Sequence, residues 1–359
     1  MTCLLPFRPV VALLALAATA AGAQAPGPRT STVVLPVIGS APETGLVYGV
    51  TALRVTRPAG DDITRPSLTQ VYAAYTTKQQ FSAWAEIDWW TPGNVWRLNA
   101  NVEYRDFPLP YYGVGGDTPK SAEEFYTARG PLGFVTVQRQ IVPHGYLVGG
   151  MKWWSQENAN RAPTGALASG GVSGAAGGRV LLAQLGVAWD TRDNMLAART
   201  GDYTQLTWSQ SDRAIGSEFM FRRLLLDARH YVPLGASQSL ALQLLGEHTL
   251  GEAPFDQLAL VGSSSMLRGY TKGRYRDRTL LGAQVEFRAP VYGRFSSVLF
   301  AGGGAVAPSP RLLTTAAVLP SYGGGLRYAM GQSGGSLIRL DVGLGRDAMG
   351  IYVGFQQAF

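Results

Sequence analysis

The chain has 359 residues, among them 45 Gly, 16 Tyr and 8 Trp, with 15% charged residues and a formal net charge of +7. Mean hydropathy is +0.03, and beyond the amino end no apolar run approaches the roughly 20 residues of a membrane-crossing helix, so helical spans are excluded. The basic residues lie singly along strand-like segments, which speaks against a nucleic-acid patch and for an arginine-lined lumen or rim.

The amino end carries Arg8, an apolar run from Val10 to Ala21, and the small residues Ala21, Gly22 and Ala23. This is the layout of a secretory signal peptide, and the run is too short for a bilayer crossing. Residues 1–23 are therefore expected to be a cleaved leader and residues 24–359 the mature domain. The single cysteine, Cys3, lies in that leader and ahead of the apolar run, so neither a lipoprotein site nor a disulfide, zinc site or thiol nucleophile is expected.

From about residue 32 onward, segments alternate apolar and polar residues and are cut by Gly, Pro, Asn and Asp turns. Strands are expected over 32–40, 45–56, 67–76, 80–90, 94–106, 125–139, 145–155 and 179–190. A second group covers 201–211, 217–232, 237–248, 278–290, 294–306, 320–330, 335–345 and 350–359, giving sixteen in all. In the clearest segment, Leu281, Ala283, Val285 and Phe287 share one face, and Gly282, Gln284, Glu286 and Arg288 share the other. A strand with lipid on one side and water on the other requires that division.

The connections alternate in length. Long ones (107–124, 156–178, 249–277, 307–319) follow odd-numbered strands, and short turns such as Thr91-Pro92-Gly93 and Tyr292-Gly293 follow even-numbered ones. Up-and-down barrels have this pattern, with short turns in the periplasm; the first two connections break it. Trp89, Trp90, Trp96, Tyr111, Tyr112, Trp153 and Trp154 cluster at segment ends and read as interfacial girdles. Gly170 to Gly178 reads as a flexible loop tip.

Several motifs have plainer readings than their chemistry. Gly331-Gln332-Ser333-Gly334-Gly335 fits a nucleophile elbow, but no helix follows, so a hairpin turn is expected. Gly302, Gly304 and Ala307 fit a loose dinucleotide pattern, again without a helix, and read as close strand packing. His144, His230 and His248 lie in three different segments, which gives no metal site; His248 near an outer loop is the one candidate base for a barrel hydrolase. Arg192, Asp193 and Arg199 read as turn charges facing the periplasm, and Arg222 and Arg223 as a rim pair whose outward member snorkels.

The stretch Gly262-Ser263-Ser264-Ser265-Met266-Leu267-Arg268-Gly269-Tyr270, followed by a strand carrying Glu286, resembles the sixth-loop motif of the BamA/TamA superfamily, the bacterial surface antigen proteins. Asp190-Thr191-Arg192-Asp193-Asn194 with Thr200-Gly201 is similar to that family's periplasmic turn, and Gly354-Phe355-Gln356-Gln357-Ala358-Phe359 to its closing strand. Pro42-Glu43-Thr44-Gly45 and Tyr111-Tyr112-Gly113-Val114-Gly115 resemble members that consist of a barrel alone. The resemblance implies that the loop folds into the lumen, with Arg268 pairing to acids on the inner wall. Glu286 matches the first acid. Gly302 stands where the family's Phe-x-Asp-x-Gly strand places the second, so Glu286 is expected to carry more of the anchoring.

The fold expected is all-β, a closed transmembrane antiparallel barrel of about sixteen strands in the bacterial outer membrane, since only closure satisfies every backbone group in lipid. Roughly ten residues between leader and first strand are too few for a periplasmic module, which points to a stand-alone barrel. The leading function is envelope biogenesis or a loop-gated pore; the alternatives are a barrel hydrolase acting on lipids or peptides and a passive porin. No enzyme activity, cofactor, catalytic residue or metal is expected. The partners expected are outer-membrane lipids, the assembly machinery and a separate periplasmic protein, with no nucleic acid. Phe355 and Phe359 are expected to form a carboxyl-terminal assembly signal, on a lipid face shared with Ile351 and Val353. Amino-terminal sequencing of membrane-inserted protein should read from Gln24, and an intact Met1 would contradict the leader.

Overall fold

The structure is a computed structural model that describes residues 29–41, 45–61, 63–330, 336–346 and 348–359. The expected leader, Pro42 to Thr44 of one turn motif, and Gly331 to Gly335 lie outside the described residues.

Sixteen strands form one antiparallel sheet in which each pairs with the next along the chain. They are β1 (Arg29–Ala41), β2 (Gly45–Arg57), β3 (Ser67–Thr76), β4 (Phe81–Trp90), β5 (Trp96–Tyr111), β6 (Glu124–Val142), β7 (Gly145–Ala159) and β8 (Gly177–Asp190). Then come β9 (Gly201–Ser211), β10 (Phe221–Leu234), β11 (Gln238–Gly251), β14 (Thr279–Tyr292), β15 (Phe295–Ala307), β16 (Leu319–Met330), β17 (Ser336–Gly345) and β18 (Ala348–Phe355). A separate hairpin, β12 (Ala259–Val261) and β13 (Tyr275–Asp277), sits within the connection from β11 to β14. Each of the sixteen expected segments is a strand of this barrel. The largest shift in bounds is at β5, which runs on to Tyr111, and the longest strands are β5 and β6, with 16 and 19 residues. About 9–11 tilted residues cross a bilayer, so this pair continues well beyond the wall.

Period-two alternation builds the wall. On β14, Gly282, Gln284, Glu286 and Arg288 are buried in the interior while Leu281 and Ala283 are exposed outward. The same holds across the sheet, where Val34, Leu185, Val187, Leu206, Trp208, Leu299 and Leu340 form an apolar outer surface. Among the described residues no ladder joins β1 to β18, yet Val33 and Leu35 of β1 pack with Met330, Ile338 and Phe355 from β16, β17 and β18. The wall thus comes round to its own beginning through side-chain packing.

Alternation also corrects the aromatic girdle. Adjacent residues of a strand point to opposite faces, so Trp89 is exposed outward whereas Trp90 is buried against Tyr146. Trp96 faces out; Trp154, Tyr111 and Tyr112 are buried. The expected loose tip at 170–178 is instead packed, with Ala175 buried beside Phe255 and the Phe255 amide donating to the Ser173 carbonyl at 2.9 Å. Of the rim pair, Arg223 turns inward to Glu247 at 3.0 Å, and Arg222 is exposed.

The carboxyl end departs from the expected row of lipid-facing residues. β18 stops at Phe355, and Gln356 takes a left-handed φ of 61° while its amide donates to the Leu337 carbonyl at 2.8 Å. The left-handed residue redirects the chain, so strand parity no longer applies beyond it. Phe359 is buried with Ala198, Tyr231 and Ala241, and Phe355 packs with Leu53, Val55 and Leu196.

The wall makes a face-specific prediction. Leu206→Arg places a cation on the lipid face and should cost about 2–4 kcal/mol near the midplane, whereas Gln205→Arg, on the lumen side, should cost little. Urea unfolding in lipid vesicles followed by tryptophan fluorescence measures both.

Candidate functional site

The connection from β11 to β14 turns into the barrel. Ser263 shapes its descent, its hydroxyl accepting from the amides of Ser265 at 3.2 Å and Met266 at 2.8 Å. Below that turn Met266, Leu267 and Tyr270 are buried with Tyr275, Leu280, Val306 and Leu319. The tip lies directly on the backbone of β17. A Cβ at Gly343 would meet the Arg268 carbonyl carbon at 2.7 Å, and Gly269, at φ 114°, is in a conformation that side chains rarely take. Larger residues at either position would lift the loop off the wall. Polar ties complete the seat: the Gly269 amide donates to the Tyr352 hydroxyl at 2.8 Å, the Tyr270 hydroxyl to the Pro320 carbonyl at 2.7 Å, and the Ser321 hydroxyl to the Arg268 carbonyl at 2.6 Å.

Arg268 is the centre of the site. One guanidinium nitrogen lies 2.6 Å from Glu286 of β14 and the other 2.7 Å from Asp341 of β17, and all three side chains have 0% exposure. The guanidinium also lies 3.5 Å from the centroid of the Phe300 ring. Two further cations share the acids. Arg327 bonds Asp341 at 2.5 Å, and Arg288 bonds Glu286 at 2.8 Å. Unpaired, any of these charges would carry a desolvation penalty of several kcal/mol. Together they form one network, and the planar fork of arginine suits it to holding two carboxylates at once.

The second acid is therefore present, on a different strand from the one that the resemblance singles out. Glu286 does not bear the loop alone. At Gly302 a Cβ would come within 2.5 Å of the Ala283 carbonyl oxygen and 2.7 Å of Gln284 Cβ, so β14 and β15 run too close there to hold an inward carboxylate. Asp341 reaches the same guanidinium from two strands further on. A signal for it exists in the sequence: a lone acid between the apolar Leu340 and Val342, opposite in parity to both.

The turn motif between β8 and β9 also lies inside rather than at the water's edge. Asp190 is buried, pairing with Arg65 and, at 2.7 Å, with Arg192, whose guanidinium sits 4.5 Å from the Tyr203 ring centroid. Asp193 holds the turn closed by accepting from the amides of Arg199 at 2.9 Å and Thr200 at 3.2 Å. Gly201 has φ 92°, and a Cβ there would strike the Thr191 carbonyl oxygen at 2.3 Å. With its ends pinned, the turn sends Met195 against Trp90 and Tyr146, Leu196 against Leu53 and Val55, and Ala198 against Tyr231 and Phe359. Only Asp193 and Arg199 keep the expected position near solvent; apolar residues draw the rest into the barrel mouth.

Arg288 joins the two regions. Besides Glu286 it donates to the Ala198 carbonyl at 3.0 Å and to the Phe359 backbone oxygen at 2.8 Å. The histidines remain separate, His230 beside Asp202 at 2.6 Å and His248 beside the Thr279 hydroxyl at 2.8 Å, and no cluster of metal ligands occurs among the described residues.

A family model, the Omp85 superfamily domain, matches residues 67–356. No curated protein matches the chain. Among solved structures it is similar to CdiB from Escherichia coli, with a TM-score of 0.60 and 10% identity over 93% of this chain and 63% of that one. CdiB from Acinetobacter baumannii gives 0.55 and 11% over 97% and 65%, and BamA from Haemophilus ducreyi lacking POTRA domains 1-3 gives 0.53 and 11% over 91% and 70%. At such identities the likeness shows the fold, and the chain spans about two-thirds of each of these structures' length. Since the family model covers most of the chain, the protein belongs to the Omp85 superfamily and is a β-barrel of the bacterial outer membrane.

Proposed function

We propose that this barrel is a loop-gated conduit serving envelope biogenesis, with residues 252–278 as its plug. The observation that carries this reading is the fully buried tie from Arg268 to Glu286 and Asp341. A passive scaffold could fill its lumen with apolar side chains, which usually stabilise as well as a buried ion pair or better. Charges can instead be released and re-paired, which suits a part that must move. In this reading the barrel is not an enzyme. It works among outer-membrane lipids and the machinery that inserts barrels, with a separate periplasmic protein delivering its cargo. Phe355 and Phe359 serve assembly by packing inside the closing wall.

Arg268→Ala is the most informative variant because it leaves the other charges matched: Glu286 keeps Arg288 at 2.8 Å and Asp341 keeps Arg327 at 2.5 Å. The variant forfeits the two charge-assisted bonds of Arg268, each worth about 1.5–3 kcal/mol, so the loop should detach while the barrel stays folded. Planar-bilayer recordings should then show a larger, noisier conductance, and added protease should cut within 258–278. Arg268→Lys should be intermediate, since one ammonium cannot hold both acids in a fork. Unchanged conductance and protease resistance in Arg268→Ala would overturn the reading. Steady turnover of lipid or peptide substrates by the folded protein in detergent would favour the hydrolase instead.

A further inference from the structure

The loop is seated against β14 to β18, and that asymmetry leaves room across the lumen. A cavity of about 890 Å³ lies between the loop and the inner wall of β4 to β8, within the roughly 300–1,000 Å³ of small-molecule sites. Its charges are unevenly matched. Arg105, Lys152, Lys272 and Arg276 line it together with Glu86, Glu103 and Asp256. Glu86 accepts from Asn99 at 3.1 Å and Glu103 lies 3.5 Å from Arg105. Arg276 spends its guanidinium on the Gly273 and Phe255 carbonyls. Lys152 and Lys272 are left with no ion pair or hydrogen bond among the described residues. Beside them Trp84, stacked on Tyr72 with centroids 5.7 Å apart, and Trp154 supply flat walls.

We propose that this cavity binds a polar solute bearing an oxyanion, a sulfate, phosphate or carboxylate group, held between Lys152 of the wall and Lys272 of the loop. An ammonium is a compact, strongly hydrated charge with three donors, and one confined in a lumen gains most from an oxyanion that replaces its lost water. The two lysines come from parts of the chain that meet only here, so the site exists only with the loop seated. With the loop seated, binding can be measured whether or not the loop opens in function.

Asp256 adds a pH dependence to the site. Both its carboxylate oxygens are buried without a hydrogen-bond partner. Burial pushes the carboxyl up to about 7, against the opposing pull of Arg276, Arg105 and Arg223. The other titratable groups around it are Tyr126, Glu86, Glu103, Glu247, Lys152 and Lys272, and the three glutamates have partners of their own in Asn99, Arg105 and Arg223. Falling pH protonates Asp256 and removes a negative charge from the cavity, so anion affinity should rise between pH 8 and pH 6.

The test is a titration of folded full-length protein in detergent with sodium sulfate, which does not titrate in that range, at ionic strength held constant with sodium chloride, read by tryptophan fluorescence. A saturable change is expected. Lys152→Gln and Lys272→Gln should each weaken it about tenfold, as expected for loss of one charge-assisted bond, and Asp256→Asn should flatten the pH dependence. No saturable change in the wild type, or unaltered affinity in both lysine variants, overturns the proposal. Should a variant fail to fold, amine labelling of the wild type read by mass spectrometry decides: protection of Lys152 and Lys272 by sulfate supports the site, and equal labelling with and without sulfate overturns it.

Discussion

The arrangement of this barrel depends on one guanidinium held between two carboxylates that come from strands three positions apart in the sheet. Arg268 is fully buried, and so are Glu286 and Asp341. A charge so placed must be paired, because the desolvation penalty is not otherwise repaid. Pairing across β14 to β17 fixes where the loop sits, and the glycines under it, Gly269 and Gly343, allow backbone to lie on backbone. The cavity against β4 to β8 follows from the same constraint, since a loop held to one wall cannot fill a lumen of sixteen strands.

The network also links the two ends of the lumen. From the side of the long connections, the loop brings Arg268 down to Glu286. From the side of the short turns, residues 191–200 and 356–359 pack into the mouth, with Leu196 and Phe359 buried. Arg288 stands between, bonded at once to Glu286, Ala198 and Phe359. A single side chain thus stands in contact with the acid that holds the loop and with the backbone of the opposite closure.

Much of the wall is legible in the sequence because lipid outside and water inside write a period of two into each strand. Residues 281–288 show it without ambiguity. The same period separates Trp89 from Trp90, where composition alone places both rings at the interface and parity sends one inward. The loop's descent into the lumen was not in any spacing; it came from the resemblance carried by Gly262 to Tyr270. That resemblance points to position 302 for the second acid, although the apolar neighbours of Asp341 mark Asp341 as inward. The inward tail could not be read at all, because it turns on the left-handed backbone of Gln356, a residue with no sequence preference for that conformation. The burial of 191–200 was hidden for a similar reason. Asp193 and Gly201 announce a turn, and nothing in the residue order says on which side of the mouth it packs.

The whole arrangement rests on Asp341 and Arg268 acting as a pair. A double-mutant cycle measures this directly, from the unfolding free energies of wild type, Arg268→Ala, Asp341→Asn and the double variant, in one lipid and at one ionic strength. Contacting residues in one ion-pair network show coupling of about 0.5–3 kcal/mol. Coupling is expected at the upper end of that range, with Asp341→Asn costing less once Arg268 is gone and the remaining cost that of Arg327 losing its partner. Strictly additive losses would contradict it and would mean that the loop is held by something other than this charge.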